Sequence, residues 1–350
     1  MEENLLLLSA TDNSDDLLLL SPSNHKSQEK IEFHKNFQVE ILTNEQCKTM
    51  FRFEKDDLPR IQMALRIPQK IVCRNRTIVS GTEGLCILLR RLAYPNRLED
   101  LTSVFGRPVY ELSYIFNEVL NIVYHEHGHL LSDLTQPWLS QANLDTFTTA
   151  ISDRGSPLLN CWGFIDGTVR PICRPESNQK MLFSGHKRTH GVKFQSITAP
   201  NGLIANLYGP VEGCRHDAGM LRVSGILNQL EDKMTKPDGT VYSLYGDPAY
   251  PLRPHLIGPF KGAALSEDEK AFNKRMSAVR ISVEWIFGKI ISLFAFLDYK
   301  KNNKLYLQPV GKYYLIGALL TNVHTCLYGS ETSTFFNIDP PALEDYLNNS

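Results

Sequence analysis

Between residues 158 and 212 the hydrophobic pattern keeps the period of strands. Three apolar segments follow one another there, LLNCWGFIDGTV, VKFQSITA and LIANLYGPV. The segment APNG, residues 199–202, has the composition of a tight turn and joins the second and third as a hairpin. A helical segment, DAGMLRVSGILNQLED, comes next and begins with Asp217. The segment VYSLYGDPAY then reads as a fourth strand ending at Asp247. A long helix follows in SEDEKAFNKRMSAVRISVEWIFGKIISLF, where Ser266 and Glu269 have the spacing of a capping box. A last helix is expected over about 308–328, followed by a loose C-terminus.

Three strands, a helix, a strand and a helix make the order of a ribonuclease-H-like core. The predicted class is therefore α/β, a mixed sheet covered by helices. Ahead of it, residues 39–150 read as an all-α region. FRFEKDDLPRIQMALRIP and TEGLCILLRRLAYP each stop at a proline, and RLEDLTSVFGRPVYELSYIFNEVLNIVYH is broken at Gly106 and resumes near Val109. That last pattern has the shape of a helix-turn-helix. Its second helix contains no Lys or Arg, however, and offers only Asn117 and Asn121 to base edges, which favours a structural role. The expected organisation is a disordered tail over 1–38, the helical region over 39–150, the catalytic-type core over 151–330 and a tail over 331–350.

Composition excludes several alternatives. The seven cysteines form no CxxC pair, so neither a disulfide framework nor a structural zinc knuckle is indicated, and a reducing compartment is expected. No run approaches the roughly 20 apolar residues of a membrane span. The acidic, leucine-rich start MEENLLLLSATDNSDDLLLL reads as a tail rather than a secretory signal. HEHGH, residues 125–129, matches the HExxH of zinc proteases, but Gly128 weakens the helix where two histidines must share a face. Net charge is −1, so charge is informative only locally. Arg170, Arg174, Lys180, Lys187, Arg188 and Lys193 oppose Glu176 alone over 170–193, a patch suited to a phosphate backbone.

Asp166 and Asp247 each stand at the end of a strand, and Asp217 stands at a strand-to-helix junction, GCRHD. Polar groups at strand ends face a common edge crevice in an open sheet. Glu284 sits in the apolar run VRISVEWIFG, where a charge needs a partner or a metal. Taken singly, each aspartate also reads as a turn former or, for Asp217, a helix N-cap, and Glu284 as the ion-pair partner of Arg280 one turn earlier. Taken together, carboxylates meeting at one edge call for a neutralising cation. Two Mg²⁺ ions about 4 Å apart, held this way, suit phosphodiester attack.

The segments CWGFIDGTVRPI, GVKFQSITAPNGLI, GCRHDAGMLRVS, YGDPAYPL and FNKRMSAVRISVEWIFG resemble, in order and spacing, those of Harbinger-type transposases and the nucleases derived from them. The resemblance, with the helical 82–124 segment, covers most of 80–330. It implies an acidic active site, dependence on Mg²⁺ or Mn²⁺, and DNA strand cleavage. Asp166 matches the first acid, Glu284 the last, and Asp247 or Asp217 the second. Asp166, Asp247 and Glu284 form the expected core set, with Asp217 as a further metal ligand. Lys187, Arg188, Arg215 and His216 are the candidates for gripping phosphate. Cys214 stands where the family motif often has Ser. Members of that family often act with a separate Myb/SANT-like DNA-binding protein, so a nuclear location, or a cytoplasmic one without the partner, is expected. The alternative is a domesticated descendant that binds DNA or protein without catalysis.

Overall fold

A computed structural model describes residues 37–348. The expected tail over 1–38 lies almost wholly outside the described residues. The chain divides into two compact units. The first holds the chain up to His127 with Pro171–Pro175 and Leu293–Gly317. The second holds Gly128–Arg170, Glu176–Ser292 and Ala318–Ser350.

In the first unit, helices α1 (Asn44–Phe51) and α2 (Asp57–Ala64) precede a small antiparallel hairpin of β1 (Lys70–Val72) and β2 (Ile78–Ser80). Helix α3 (Gly81–Ala93) is the centre of this unit, with Leu85, Cys86, Ile87, Leu88, Leu89 and Leu92 fully buried. Helices α4 (Glu99–Phe105) and α5 (Val109–His127) flank Gly106, which takes the left-handed conformation (φ 62°) that ends α4. This is the expected helix-turn-helix shape. Its polar groups are turned to structural work. Arg107, in the turn, forks onto Glu83 (2.6 and 3.1 Å), reaches Glu111 (2.8 Å) and donates to the Ile78 carbonyl (3.2 Å). Asn117 donates to the Ser113 carbonyl, and Asn121 accepts from Lys312. Helix α5 ends at His127, whose side chain is buried. His125 and His129 therefore do not share one helix, as a zinc protease motif requires.

In the second unit, α6 (Gln141–Asp153) leads to β3 (Cys161–Pro171). A one-turn helix α7 (Gln179–Leu182), the two-residue strand β4 (Phe183–Ser184), β5 (Thr189–Thr198) and β6 (Ile204–Glu212) follow. The segment the sequence reads as one helix from Asp217 is two, α8 (Asp217–Val223) and α9 (Ile226–Lys233), because Gly225 between them lies at φ 69°. Then come β7 (Ser243–Tyr245), β8 (Leu256–Ile257), α10 (Glu267–Leu293), α11 (Val310–Tyr328, of which the part from Ala318 belongs to this unit), α12 (Glu331–Phe336) and α13 (Leu343–Leu347). The expected C-terminal tail thus contains two helices, with Phe336, Leu343, Tyr346 and Leu347 buried. The Ser266–Glu269 capping box is present at the start of α10.

The sheet runs β5–β3–β7–β8, with β6 and the short β4 pairing with β5. The β5–β6 and β4–β5 pairs are antiparallel, and the β3–β7 and β7–β8 pairs are parallel. This is the mixed sheet of a ribonuclease-H-like core. Three meandering strands are followed by two parallel ones, β7 reached through a crossover that contains α8 and α9, and β8 reached through the loop 246–255. Ala199 and Leu203 close the β5–β6 turn, with Gly202 at φ 80°. Among the described residues no helix is long and apolar enough to cross a membrane.

Asn322 of α11 closes polar groups that β6 leaves open. Its fully buried amide accepts from the Ile204 N–H (2.9 Å), donates to the Ile204 carbonyl (2.9 Å) and donates to the Tyr346 hydroxyl (2.8 Å). Asn322→Ala strands these partners in the core and is expected to cost roughly 3 kcal/mol of stability. A urea titration of the variant beside wild type measures it, and an unchanged midpoint contradicts the assignment.

Candidate active site

Strand β3 is fully buried from Cys161 to Ile165 and emerges at Asp166 and Gly167. Its parallel register with β7 pairs Phe164 with Tyr245. Two residues on from that pair stand Asp166 and Asp247. Side chains repeat every second residue along a strand, so the register brings both acids to the same level of the sheet's edge. Asp166 accepts from the Gly167 N–H at 2.8 Å, and Asp247 accepts from the Ala249 N–H at 2.8 Å, which fixes the turn that follows it.

Asp217 reaches the same edge from α8. A Cβ on Gly167 would lie 2.9 Å from the Asp217 Oδ1. The glycine after the first acid is therefore the residue that lets the second carboxylate approach β3. Asp217 is the first residue of its helix, after His216 in the cap position. Its carboxylate is bound by Lys193 Nζ at 3.1 Å, which also donates to the Arg215 carbonyl at 2.8 Å.

Arg280 on α10 holds Asp166, with Nη2 at 2.7 Å from Oδ2. The sequence suggests Glu284 as its partner. The structure gives Arg280 to the aspartate across the sheet edge instead. Burial pushes the Asp166 carboxyl up, Arg280 and the Gly167 N–H pull it down, and the charges of Asp247 and Asp217 push it up again, with the net shift upward. Asp166 thus lies in the field of the Asp247 and Asp217 charges. The hydroxyl of Tyr250 lies in that field too. Burial raises it well above the usual phenol value, and Asp217, Asp166 and Asp247 add to the rise.

Glu284 is exposed on α10, although its sequence neighbours are apolar. The helical period turns Val283, Ile286 and Phe287 inward and leaves Glu284 facing out. It lines a cleft of about 490 Å³ with Trp285, Lys289, His324 and Glu331, and none of the three aspartates lines that cleft. Of the phosphate candidates, Lys187 and Arg188 are exposed at the tip of the β4–β5 hairpin, His216 is exposed, and Arg215 is engaged with Glu212 at 2.7 and 3.1 Å. Cys214 is exposed before α8.

The donor set is that of a hard divalent cation: carboxylates at a partly buried edge, with an unpartnered buried hydroxyl among them. As the side chains lie, Arg280 and Lys193 neutralise two of the acids. Among the described residues no three carboxylate, imidazole or thiol groups close around a single point.

Residues 165–322 match the sequence profile of the DDE superfamily endonucleases. The chain resembles that superfamily through this segment. It spans every element of the acidic edge, from Ile165 before the first aspartate to past Glu284. The chain is also 25% identical over 227 residues to a protein ALP1-like of Arabidopsis thaliana, covering 62% of this chain and 54% of that relative. It is 26% identical over 145 residues to a probable transposase for insertion sequence element IS702 of Microchaete diplosiphon, covering 40% of this chain and 49% of the relative. The chain thus spans about half the length of the curated relatives it matches. No solved structure matches it.

The residues not anticipated from sequence are Arg280 as the partner of Asp166, Lys193 as the partner of Asp217, and Tyr250. Each had a signal. Lys193 lies between the buried Val192 and Phe194, and Tyr250 sits three residues after an active-site-type acid in YGDPAY. Because its folded-state carboxyl lies above the unfolded value, Asp166 favours the fold when protonated, and that contribution is lost as pH rises through the raised value. Asp166→Asn is therefore expected to raise the melting midpoint at pH 7 by roughly 2–4 °C. The gain should vanish in acid, where wild type takes up its proton. A calorimetric series from pH 7 downward shows this, and a variant that melts lower at pH 7 contradicts the stated balance.

Proposed function

We propose that the chain is a metal-dependent DNA endonuclease or transposase of the Harbinger type. What supports this reading is the approach of Asp217 to the backbone beside Asp166, with Asp247 two residues past the β7 partner of Phe164, inside the segment similar to DDE endonucleases. Asp166, Asp217 and Asp247 would hold Mg²⁺ or Mn²⁺, with Glu284 the last acid of the set. The metal supplies charge for activating a water and stabilising the leaving oxygen of a phosphodiester.

The protein's own residues then have defined tasks. Asp166, on β3, is the fixed point, held by the Gly167 N–H. Asp247 keeps its orientation through the Ala249 N–H, and Asp217 approaches through the space left by Gly167. Lys187 and Arg188, exposed on a hairpin whose second strand carries Lys193 to Asp217, grip the DNA backbone alongside. His216 adds a contact beside Asp217. In the helix-turn-helix-shaped region Arg107, Asn117 and Asn121 are used internally, which fits a division of labour in which a separate Myb/SANT-like protein recognises the target; we infer that partner, and action in the nucleus, from the family resemblance.

One observation favours a second reading, a DNA- or protein-binding descendant without catalysis. Arg280 and Lys193 already satisfy the charges of Asp166 and Asp217. Incubation with supercoiled plasmid and Mn²⁺ separates the two. The endonuclease reading expects nicking that EDTA abolishes and that Asp166→Ala and Glu284→Ala reduce to the metal-free background. Metal-dependent nicking at the wild-type rate by Asp166→Ala rejects it, and absence of nicking with partner protein and terminal DNA added favours the scaffold. Replacing Lys187 and Arg188 by Ala should weaken DNA binding and lower the slope of log K against log salt by about 2. An unchanged slope removes the hairpin from the interface.

A further inference from the structure

Tyr250 is 2% exposed, and its hydroxyl has no hydrogen-bond partner. Its ring lies over the end of β7, where a Cβ on Gly246 would meet the ring at 3.0 Å and the Ile165 side chain at 2.9 Å. Gly246 immediately precedes Asp247 and Ile165 immediately precedes Asp166, so the ring is clamped at the base of both acids. A phenylalanine would fill the same space without burying an unsatisfied hydroxyl, which carries a free-energy penalty. The carboxylates of Asp166, Asp217 and Asp247 act on this hydroxyl, and two of them are turned to Arg280 and Lys193.

We propose that Tyr250 is a positioning residue of the acidic site, whose hydroxyl donates to the Asp217 carboxylate when that group leaves Lys193 to take a divalent cation. This rests on the metal-dependent reading above. The aspartates then have two sets of partners. In one, Arg280 and Lys193 neutralise them and the Tyr250 hydroxyl stands idle. In the other, the cation supplies the charge, the carboxylates turn inward, and the hydroxyl fixes the inward position. Asp217 is the acid whose charge acts most strongly on Tyr250, which matches this assignment. A hydrogen bond to the outer oxygen of a ligating carboxylate orients it for the metal and is worth tenfold or more in affinity.

The test is Mn²⁺ binding, followed by the electron paramagnetic resonance of the free ion, together with the melting midpoint of metal-free protein. Wild type, Tyr250→Phe and Asp166→Ala are compared. Tyr250→Phe is expected to melt at or above the wild-type temperature without metal and to bind Mn²⁺ about tenfold more weakly. Asp166→Ala should lose the site. Wild-type affinity in Tyr250→Phe, beside a site that Asp166→Ala abolishes, overturns the positioning role alone. A lower metal-free melting midpoint for Tyr250→Phe also overturns it, since the hydroxyl would then be structural. If Mn²⁺ binding to wild type is absent or indifferent to Asp166→Ala, the metal-dependent reading fails and the role of Tyr250 falls with it.

Discussion

The parallel pairing of β3 with β7 is the constraint on which the site depends. Parallel strands cannot be joined by a tight turn, so the intervening chain must supply a crossover, and the helices α8 and α9 lie within it. The register Phe164 to Tyr245 then sets Asp166 and Asp247 level without any contact between the two side chains being needed. A slip of one residue would turn one acid to the opposite face of the sheet. The buried run from Cys161 to Ile165 opposes such a slip, because it would expose apolar side chains and bury polar ones.

Charge neutrality is the second constraint. Three carboxylates at a partly buried edge repel one another, and burial alone already raises the Asp166 carboxyl. The fold answers with one guanidinium from α10 and one ammonium from β5. Both cations belong to elements that frame the sheet edge, so the acids can be held together without metal. On the endonuclease reading, the same two cations would become available to an anionic backbone once a metal took over the carboxylates. Substrate and metal binding would then be linked through Arg280 and Lys193.

Much of this core was legible in the sequence. The period-two runs gave the three meandering strands, and APNG gave their turn. The capping box gave the start of α10. The aspartates at strand ends were legible because a buried run that stops at an acid has few structural explanations. Glu284 illustrates what was hidden. Its neighbours are apolar, but helical phase, not local composition, decides exposure, and the phase turns it outward. The division of α8 from α9 was concealed by a single glycine whose left-handed backbone the sequence permits without requiring. The helices beyond residue 330 were missed because short segments have weak periodicity and gain their order from packing of Phe336, Leu343 and Tyr346. The partners of Arg280 and Lys193 depend on tertiary contacts 114 and 24 residues apart, beyond any local pattern.

On the endonuclease reading, Asp166, Asp217 and Asp247 act as one cation site. The most direct measurement is diffraction from crystals grown with Mn²⁺, with data collected at the manganese edge. An anomalous peak bounded by these three carboxylates is expected, with Arg280 withdrawn from Asp166 and Lys193 from Asp217. Manganese bound elsewhere, with both ion pairs intact and no peak at the sheet edge, would contradict it.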